Sequence, residues 1–291
     1  MKRILITGAG SYVGMSVEAY LNRWPDCFKV ETMDMIDGSW REKSFSGFDV
    51  VFHVAGIVHR EQAKNDPEQA QLYDRVNTQL AVETARKAKA EGVGQFIFMS
   101  SASVYGLTAP FGKVVMISKT TSLAPVDNYG ISKARAEEGL QTLADGKFKI
   151  AVLRPPMIYG KGCKGNYQTM AKLAKKLPVF PWVKNQRSML YMENLAEFVR
   201  LVIEDGAEGV FCPQNDEYVC TSEMVNLIAH ANGRGILLVK GFSWALKLLS
   251  PITGMVDKAF GSLCYDFELS HYPKPYCVKN LQESILETEQ K

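Results

Sequence analysis

Short apolar runs alternate with longer amphipathic stretches through the first half of the chain. A short apolar run bounded by turn residues is typical of a buried strand, whereas apolar positions three and four residues apart predict a helix. The pattern predicts strands at Lys2–Thr7, Phe28–Met33, Asp49–Val54, Gln95–Ser100 and Lys149–Leu153, and helices at Tyr12–Trp24, from Asp66-Pro67 to about Glu91, and at Tyr129–Ala144. Strands that alternate with helices pair in parallel, so we expect an α/β fold with a doubly wound parallel sheet.

The pattern changes after the fifth predicted strand, where Pro155-Pro156 interrupts the chain. A helix at Glu193–Glu204 and a strand at Gly209–Cys212 are predicted to return to the sheet. The tail shows a helix at Ser222–Ala231 but no clear strand alternation. We therefore predict a main domain at residues 1–160, with 190–212 returning to it, and a smaller mixed C-terminal region at 161–189 and 213–291.

Composition narrows the class of protein. The chain has 291 residues, of which 46% are hydrophobic and 22% charged, and these are ordinary values for a globular protein. No apolar run reaches the roughly 18 residues that span a bilayer, and the apolar run near the N-terminus is too short for the core of a signal peptide. The six cysteines form no CxxC pair, and the four histidines show no metal-ligand spacing. We expect a soluble, cytoplasmic protein with reduced cysteines and no metal site.

Charge is unevenly distributed along the chain. Residues 146–192 contain ten basic residues and no acidic one, although the whole chain carries 34 Lys and Arg against 31 Asp and Glu. Such a segment is either a candidate site for an anion or a solvated lysine-rich surface. For Lys172, Lys175 and Lys176, on a short helix predicted at Met170–Leu177, the solvated surface is favoured.

A glycine-rich turn follows the first strand. The run Thr7–Gly14 lies between that strand and a helix, and glycines there let the backbone approach a pyrophosphate at the helix N-terminus. Asp34 ends the second strand, 20 residues after Gly14. A carboxylate at that place accepts hydrogen bonds from ribose hydroxyls and repels a 2′-phosphate, which favours NAD over NADP. The nearby Arg41 keeps NADP open.

A tyrosine and a lysine share one face of a predicted helix at Tyr129-Gly-Ile-Ser-Lys133. The ammonium is expected to lower the pKa of the phenol toward the range useful for acid/base catalysis. Ser101 and Ser103 follow the fourth strand, and the carboxyl ends of parallel strands form the ligand crevice. Serine, tyrosine and lysine together can hold and protonate a carbonyl while a nicotinamide delivers hydride.

These motifs together resemble the extended short-chain dehydrogenase/reductase superfamily, in its sugar-nucleotide epimerase/dehydratase branch. The resemblance is carried in chain order by Thr7–Gly14, Asp34, His53-Val54-Ala55-Gly56, Val76-Asn77, Ser100–Gly106, Tyr129–Lys133, Leu153-Arg154-Pro155-Pro156 and Arg187 before Tyr191, and more loosely by Asp257–Leu263. It implies a Rossmann-type NAD(P)-binding domain, a smaller substrate-binding region and a homodimer.

The resemblance also implies roles for matching positions. Ser101, Tyr129 and Lys133 would be catalytic, with Tyr129 as the acid/base and Lys133 also holding the nicotinamide ribose. The cofactor would be bound by Gly8, Gly10, Ser11, Tyr12, Val13, Gly14, Asp34, Ala55, Gly56, Asn77, Tyr129, Lys133 and Pro156. The substrate would be bound by Ser101, Ser103, Tyr129, Asn166 and Arg187, and Arg187 would contact its diphosphate.

Three departures from the family pattern bear on the reaction. Ser11 replaces the usual second glycine of the phosphate turn. Ala102-Ser103 replaces the acid-containing pair of resembling dehydratases, so a 4,6-dehydratase would lack its base. Met157 stands where many epimerase-like members have an asparagine, which keeps a ketoreductase open.

The expected function is an NAD-dependent epimerase of a nucleotide-activated sugar, acting at C4 through a transient 4-keto intermediate. A nucleotide-linked 4-ketosugar reductase that uses NAD(P)H is the first alternative, and a non-catalytic dinucleotide-binding regulator or scaffold is the second. No nucleic-acid partner and no membrane insertion are expected. An amphipathic stretch at residues 244–249 is either a packing helix or a membrane-surface helix, and packing is favoured because one short helix binds membranes weakly.

Overall fold

The structure, a computed structural model, describes residues 1–58, 67–242, 246–248 and 254–290. The predicted helix cap Asp66, His59 and half of the amphipathic stretch at 244–249 lie outside the described residues. The chain divides into two compact units, each built from three segments. The first unit comprises residues 1–106, 122–155 and 196–213, and the second comprises 107–121, 156–195 and 214–291.

The strands and helices are numbered in chain order. The strands are β1 Lys2–Thr7, β2 Phe28–Met33, β3 Val50–His53, β4 Gln95–Met99, β5 Val114–Ile117, β6 Lys149–Leu153, β7 Met157–Tyr159, β8 Val179–Pro181, β9 Met189–Tyr191, β10 Gly209–Phe211, β11 Leu237–Val239 and β12 Ser262–Tyr265. The α-helices are α1 Tyr12–Leu21, α2 Pro67–Tyr73, α3 Leu80–Ala90, α4 Asn128–Gln141, α5 Asn166–Lys176, α6 Met192–Asp205, α7 Thr221–Ala231, α8 Met255–Phe260 and α9 Leu281–Glu289. A π-helical stretch at Asp74–Gln79 joins α2 to α3.

A parallel sheet of six strands, in the order β10-β6-β4-β3-β1-β2, forms the centre of the first unit. This confirms the predicted α/β fold with a doubly wound parallel sheet. The chain leaves β1 toward one edge for β2 and then returns to the other side for β3. The carboxyl ends of β1 and β3 therefore flank the switch point at which such sheets bind ligands.

The core of the first unit lies between one face of this sheet and the helices α3 and α4. Alternation along the strands turns Val51, Phe96 and Phe98 toward the same fully buried cluster. Helix α3 contributes Ala81 and Ala85, which are four residues apart, to the same cluster. Such small side chains let α3 lie close to bulky strand residues, so the side of the sheet that faces α3 and α4 is densely packed.

The segment from Ala196 to Pro213 returns to the sheet, as the sequence pattern predicts. It carries most of α6 and the whole of β10, which pairs with β6. Gln95, at the start of β4, donates from Nε2 to the carbonyls of Val202 at 3.0 Å and Ala207 at 2.8 Å. A buried side chain of the fourth strand thus ties the returning segment to the middle of the sheet.

Three two-stranded parallel sheets lie in the second unit: β12 with β5, β7 with β9, and β11 with β8. The tail, in which the sequence shows no clear strand alternation, contains β11 and β12. These strands are three and four residues long, too short for an alternating pattern to be visible, and each pairs with a strand far away in sequence. No helix among the described ranges is long and apolar enough to cross a bilayer.

Candidate active site

The glycine-rich turn between β1 and α1 is held by backbone contacts on both sides. The amides of Gly8 and Ala9 both donate to the carbonyl of Met33, at 2.8 and 3.1 Å. Gly8 has φ +109°, and a Cβ there would lie 2.7 Å from the amide nitrogen of Ala55. Only glycine fits this place, where the turn passes directly over the end of β3.

Ser11 occupies the N-cap of α1 in place of the family's second glycine. Its backbone is extended, with φ −70° and ψ 144°, and its hydroxyl accepts a hydrogen bond from the amide of Gly14 at 3.1 Å. Serine is a favoured N-cap because it satisfies an amide that the first turn leaves without a partner. The departure is thus compatible with the helix start, where Tyr12 and Val13 begin the first turn.

Replacing Gly8 with alanine is expected to weaken NAD binding strongly and to lower the melting temperature. The new methyl group would clash with backbone atoms of Ala55. The alanine would also have to keep the positive φ of Gly8, which residues with a side chain rarely adopt. Gly10→Ala is the matched control, because Gly10 has φ +76° but a Cβ added there would have no other atom within 4 Å. Its cost should be the conformational strain alone, about 1–2 kcal/mol. If Gly8→Ala and Gly10→Ala weaken NAD binding and lower the melting temperature to the same extent, the close approach of Gly8 to Ala55 is not what requires glycine.

Asp34 and Arg41 are the two residues that the sequence predicts to decide between NAD and NADP. Asp34 is exposed at the end of β2, and its Oδ1 accepts a hydrogen bond from the amide of Ile36 at 2.9 Å. Arg41, the residue that keeps NADP open, forms a bidentate pair with Glu83 and lies over the ring of Trp40. Its guanidinium is half exposed, and a 2′-phosphate would have to compete with Glu83 for it.

Ser101, Tyr129 and Lys133 meet in the first unit. Tyr129 lies in the first turn of α4, whose N-cap is Asp127, and its side chain forms a hydrogen bond with Ser101. The Ser101 hydroxyl also donates to the Ser103 hydroxyl at 3.2 Å and accepts from the Ser103 amide at 3.1 Å. The β4–α4 region therefore gathers all three predicted catalytic residues, together with Ser103.

The pKa of Tyr129 is raised to about 12, mainly by burial, with Ser101 acting in the opposite direction. The expectation that Lys133 lowers this pKa is wrong, because burial of the phenol outweighs nearby stabilising groups. The Lys133 ammonium instead donates to the carbonyl of Met99 at 2.8 Å and lies over the ring of Phe98. Tyr129 is thus a neutral phenol at neutral pH, ready to donate a proton.

Burial also acts on Lys133, whose pKa is lowered to about 8 while the charge of Glu137 acts to raise it. Glu137 lies one turn further along α4 and forms a buried ion pair with Arg154. Ser100 donates to the same carboxylate, and Arg154 also donates to the Tyr105 hydroxyl at 3.0 Å. This network fixes the catalytic helix to the ends of β4 and β6. Sequence reasoning missed Glu137, although its place four residues after Lys133 was a usable signal.

Ala55 and Gly56 follow β3 beside these residues. A Cβ at Gly56 would lie 2.9 Å from Oδ1 of Asn77 and 3.4 Å from Nζ of Lys133. Asn77, in the π-helical stretch, accepts from the amide of Ile57 at 2.8 Å and donates to the Ser132 hydroxyl at 3.1 Å. Asn77 therefore connects the end of β3 to the catalytic helix, which places both near Lys133.

His53 is a buried polar residue beneath this site to which the sequence pattern assigns no role. Its Nδ1 lies 2.8 Å from the Thr7 hydroxyl, and its ring stacks on Phe96 and Phe98. Burial and the charge of Lys133 lower its pKa to about 3, so the imidazole is neutral. Nε2 has no hydrogen-bond partner within the described ranges.

The remaining predicted residues lie in the second unit. Arg187 and Asn166 line one mainly apolar cavity of about 490 Å³, together with Met157, Met189 and Phe260. Burial lowers the pKa of Arg187, and its Nη1 donates to the carbonyls of Lys258 at 2.7 Å and Gly261 at 3.1 Å. These bonds fix the guanidinium in the cavity wall. Pro156, predicted to contact the cofactor, begins a segment of this unit and is partly exposed.

The sequence profile of the NAD dependent epimerase/dehydratase family matches residues 4–212. The chain belongs to this family, which confirms the resemblance, the Rossmann-type fold and the expectation of an NAD(P)-dependent enzyme. It is 30% identical over 316 residues to the UDP-glucose 4-epimerase of Vibrio cholerae, covering 99% of this chain and 95% of that relative.

Two solved structures share the fold at lower identity. RMD from Pseudomonas aeruginosa, complexed with NADPH, has a TM-score of 0.76 and 17% identity, covering 99% of this chain and 100% of that one. UDP-glucuronic acid 4-epimerase from Bacillus cereus, in complex with NAD, has a TM-score of 0.69 and 16% identity, covering 98% and 96%. At these identities the similarity shows the fold alone.

Proposed function

We propose that the chain is an NAD-dependent epimerase of a nucleotide-activated sugar, which inverts C4 through a transient 4-keto intermediate. The meeting of Ser101 and the buried Tyr129 beside Lys133 is the observation that carries the proposal. The whole-chain similarity to the Vibrio cholerae UDP-glucose 4-epimerase supports a nucleotide sugar as the substrate.

In this proposal Tyr129 and Ser101 share the hydrogen bonds to the C4 oxygen. Tyr129 in its deprotonated form takes the hydroxyl proton as C4 is oxidised, and the resulting phenol returns that proton when the ketone is reduced on its other face. NAD, when bound, supplies the hydride acceptor and then the donor. Lys133 holds the nicotinamide ribose.

The turn after β4 argues against a dehydratase. Residues 102–105 form one 3₁₀ turn that begins at Ser101, and Ser103 in this turn hydrogen-bonds with Ser101. A hydroxyl at this place orients a substrate but does not supply the carboxylate base that removal of water requires. We therefore assign Ser103 to substrate binding.

We assign substrate binding outside the catalytic residues to the second unit. Arg187, fixed in the wall of its cavity, would bind the diphosphate, and Asn166 at the start of α5 would contact the sugar nucleotide. The first unit would bind the cofactor through the residues from Gly8 to Asn77 named above. The assignment of Pro156, which belongs to the second unit, to the cofactor stays a prediction. We also propose a cytoplasmic homodimer that serves polysaccharide biosynthesis, as the family resemblance implies.

The reductase alternative rests on one observation, which is that Met157 lines the same cavity as Arg187. An apolar side chain there gives no hydrogen bond to hold a sugar that must turn over between two hydride transfers. A reductase needs only one orientation of its ketone.

The test is to release and identify any nucleotide bound to the purified protein, and then to follow UDP-hexoses by NMR with and without added NAD(H) or NADP(H). Interconversion of C4 epimers without net consumption of cofactor is expected. Stoichiometric oxidation of NADH or NADPH by a 4-keto sugar nucleotide, without epimer interconversion, would establish the reductase instead.

A further inference from the structure

An apolar surface is exposed around the two-stranded sheet of β8 and β11 in the second unit. Leu237 is 65% exposed, Phe242 52%, Val179 45% and Leu177 37%. We call these four residues the β8–β11 surface. Parallel strands are ordinarily covered on both faces, so exposed apolar residues on both strands indicate a partner rather than free solvent.

The four side chains belong to one continuous piece of backbone structure. Leu237 and Val179 are register partners on the two strands, and the amide of Leu237 donates to the carbonyl of Pro178 at 2.9 Å. Leu177 is bonded to the last turn of α5 through the carbonyl of Leu173. Phe242 follows β11 after a short connection. The exposed residues are therefore neighbours, not scattered single positions.

The two chain segments that carry this surface are rich in basic residues and contain no acidic one. β8 lies in the acid-free segment 146–192, and β11 lies in a second segment, 224–256, that also contains no Asp or Glu. Lys176, Arg234 and Lys240 lie within three residues of Leu177, Leu237 and Phe242 along the chain, and Lys172 lies about one helical turn before Lys176. The acidic residue Glu289 contacts these segments, where it is paired with Lys175 at 2.6 Å and also accepts hydrogen bonds from Tyr167 and Asn232.

We propose that the β8–β11 surface docks the protein on an anionic phospholipid bilayer. Apolar side chains enter the interfacial region while the surrounding lysines and arginine meet the lipid phosphates, which is the combination that binds peripheral proteins to membranes. The complementarity of charge selects an anionic bilayer, because a neutral surface would give the basic rim no favourable interaction.

Vesicle sedimentation with the full-length protein tests this inference and needs no substrate, so its outcome is independent of the proposed epimerase activity. The protein should pellet with vesicles of phosphatidylcholine and phosphatidylglycerol but not with vesicles of phosphatidylcholine alone. Binding should weaken as salt is raised. The double variant Lys172→Gln/Lys176→Gln should lose about fivefold in partitioning for each lysine.

The apolar contribution is tested with Val179→Ser/Leu237→Ser, for which a loss of about tenfold is expected. Val114→Ser/Val126→Ser removes similarly exposed valines elsewhere and should bind normally, as should the charge control Lys43→Gln/Lys147→Gln. Absence of binding to the anionic vesicles, or equal losses in test and control variants, would overturn the proposal. So would a dimer that Val179→Ser/Leu237→Ser dissociates, because the surface would then be covered by a second copy.

Discussion

Substituting Tyr129 with phenylalanine is expected to lower kcat by about a hundredfold to ten thousandfold while leaving NAD affinity nearly unchanged. The change removes the hydroxyl that hydrogen-bonds with Ser101 and keeps the buried ring. The chemical step then loses its proton donor and acceptor. Stopped-flow measurement of the rate, with NAD affinity from fluorescence titration, separates chemistry from cofactor binding.

Tyr20→Phe is the control for this experiment. Tyr20 is a buried tyrosine of the same unit whose hydroxyl donates to Glu197 at 3.1 Å. Its loss should cost about 1 kcal/mol of stability and no catalysis. A Tyr129→Phe enzyme that loses NAD binding but turns over normally when saturated with NAD would refute the acid/base role.

Glu137→Gln is expected to cost about 3–5 kcal/mol of unfolding free energy, because it leaves the Arg154 guanidinium buried without its counter-charge. It should also change the pH profile. Glu137 acts to raise the pKa of Lys133, which burial lowers to about 8, so removing its charge lowers that pKa further. The alkaline limb of kcat/KM, which reports loss of the Lys133 ammonium, should move to lower pH.

Glu197→Gln separates these two effects. Glu197 pairs with Arg200 in a similarly shielded place of the first unit, away from Lys133. The control should be destabilised but should keep the wild-type pH profile. If Glu137→Gln loses stability without shifting the alkaline limb, Glu137 holds only the fold and does not act on Lys133.

The sequence predicted the first unit well because its inner strands β1, β3, β4 and β6 are mostly buried and appear as apolar runs between helices. The bounds of β1, β2 and β6 agree with the predicted strands. The small strands of the second unit were missed because three or four residues show no period. Their partners lie too far away in sequence for a local pattern to reveal the pairing.

The candidate site was predictable at the level of motifs and not at the level of electrostatics. Spacing placed Tyr129 and Lys133 on one helix face, but only the structure shows that burial raises the pKa of Tyr129 and lowers that of Lys133. Glu137 and His53 escaped notice for the same reason. Their electrostatic environment depends on burial, and the residue type alone does not reveal whether a charged or polar side chain is buried.

The hydrogen bonds from Gln95 to the returning segment have a consequence for how the chain folds during synthesis. The donor and its Val202 acceptor are 107 residues apart, and β10 completes the edge of the sheet only at Phe211. During synthesis the ribosome therefore completes the first two segments of the second unit before β10 can join the sheet of the first unit. Until then β6 is an open edge, and an unpaired strand edge makes a partly synthesised chain prone to aggregation.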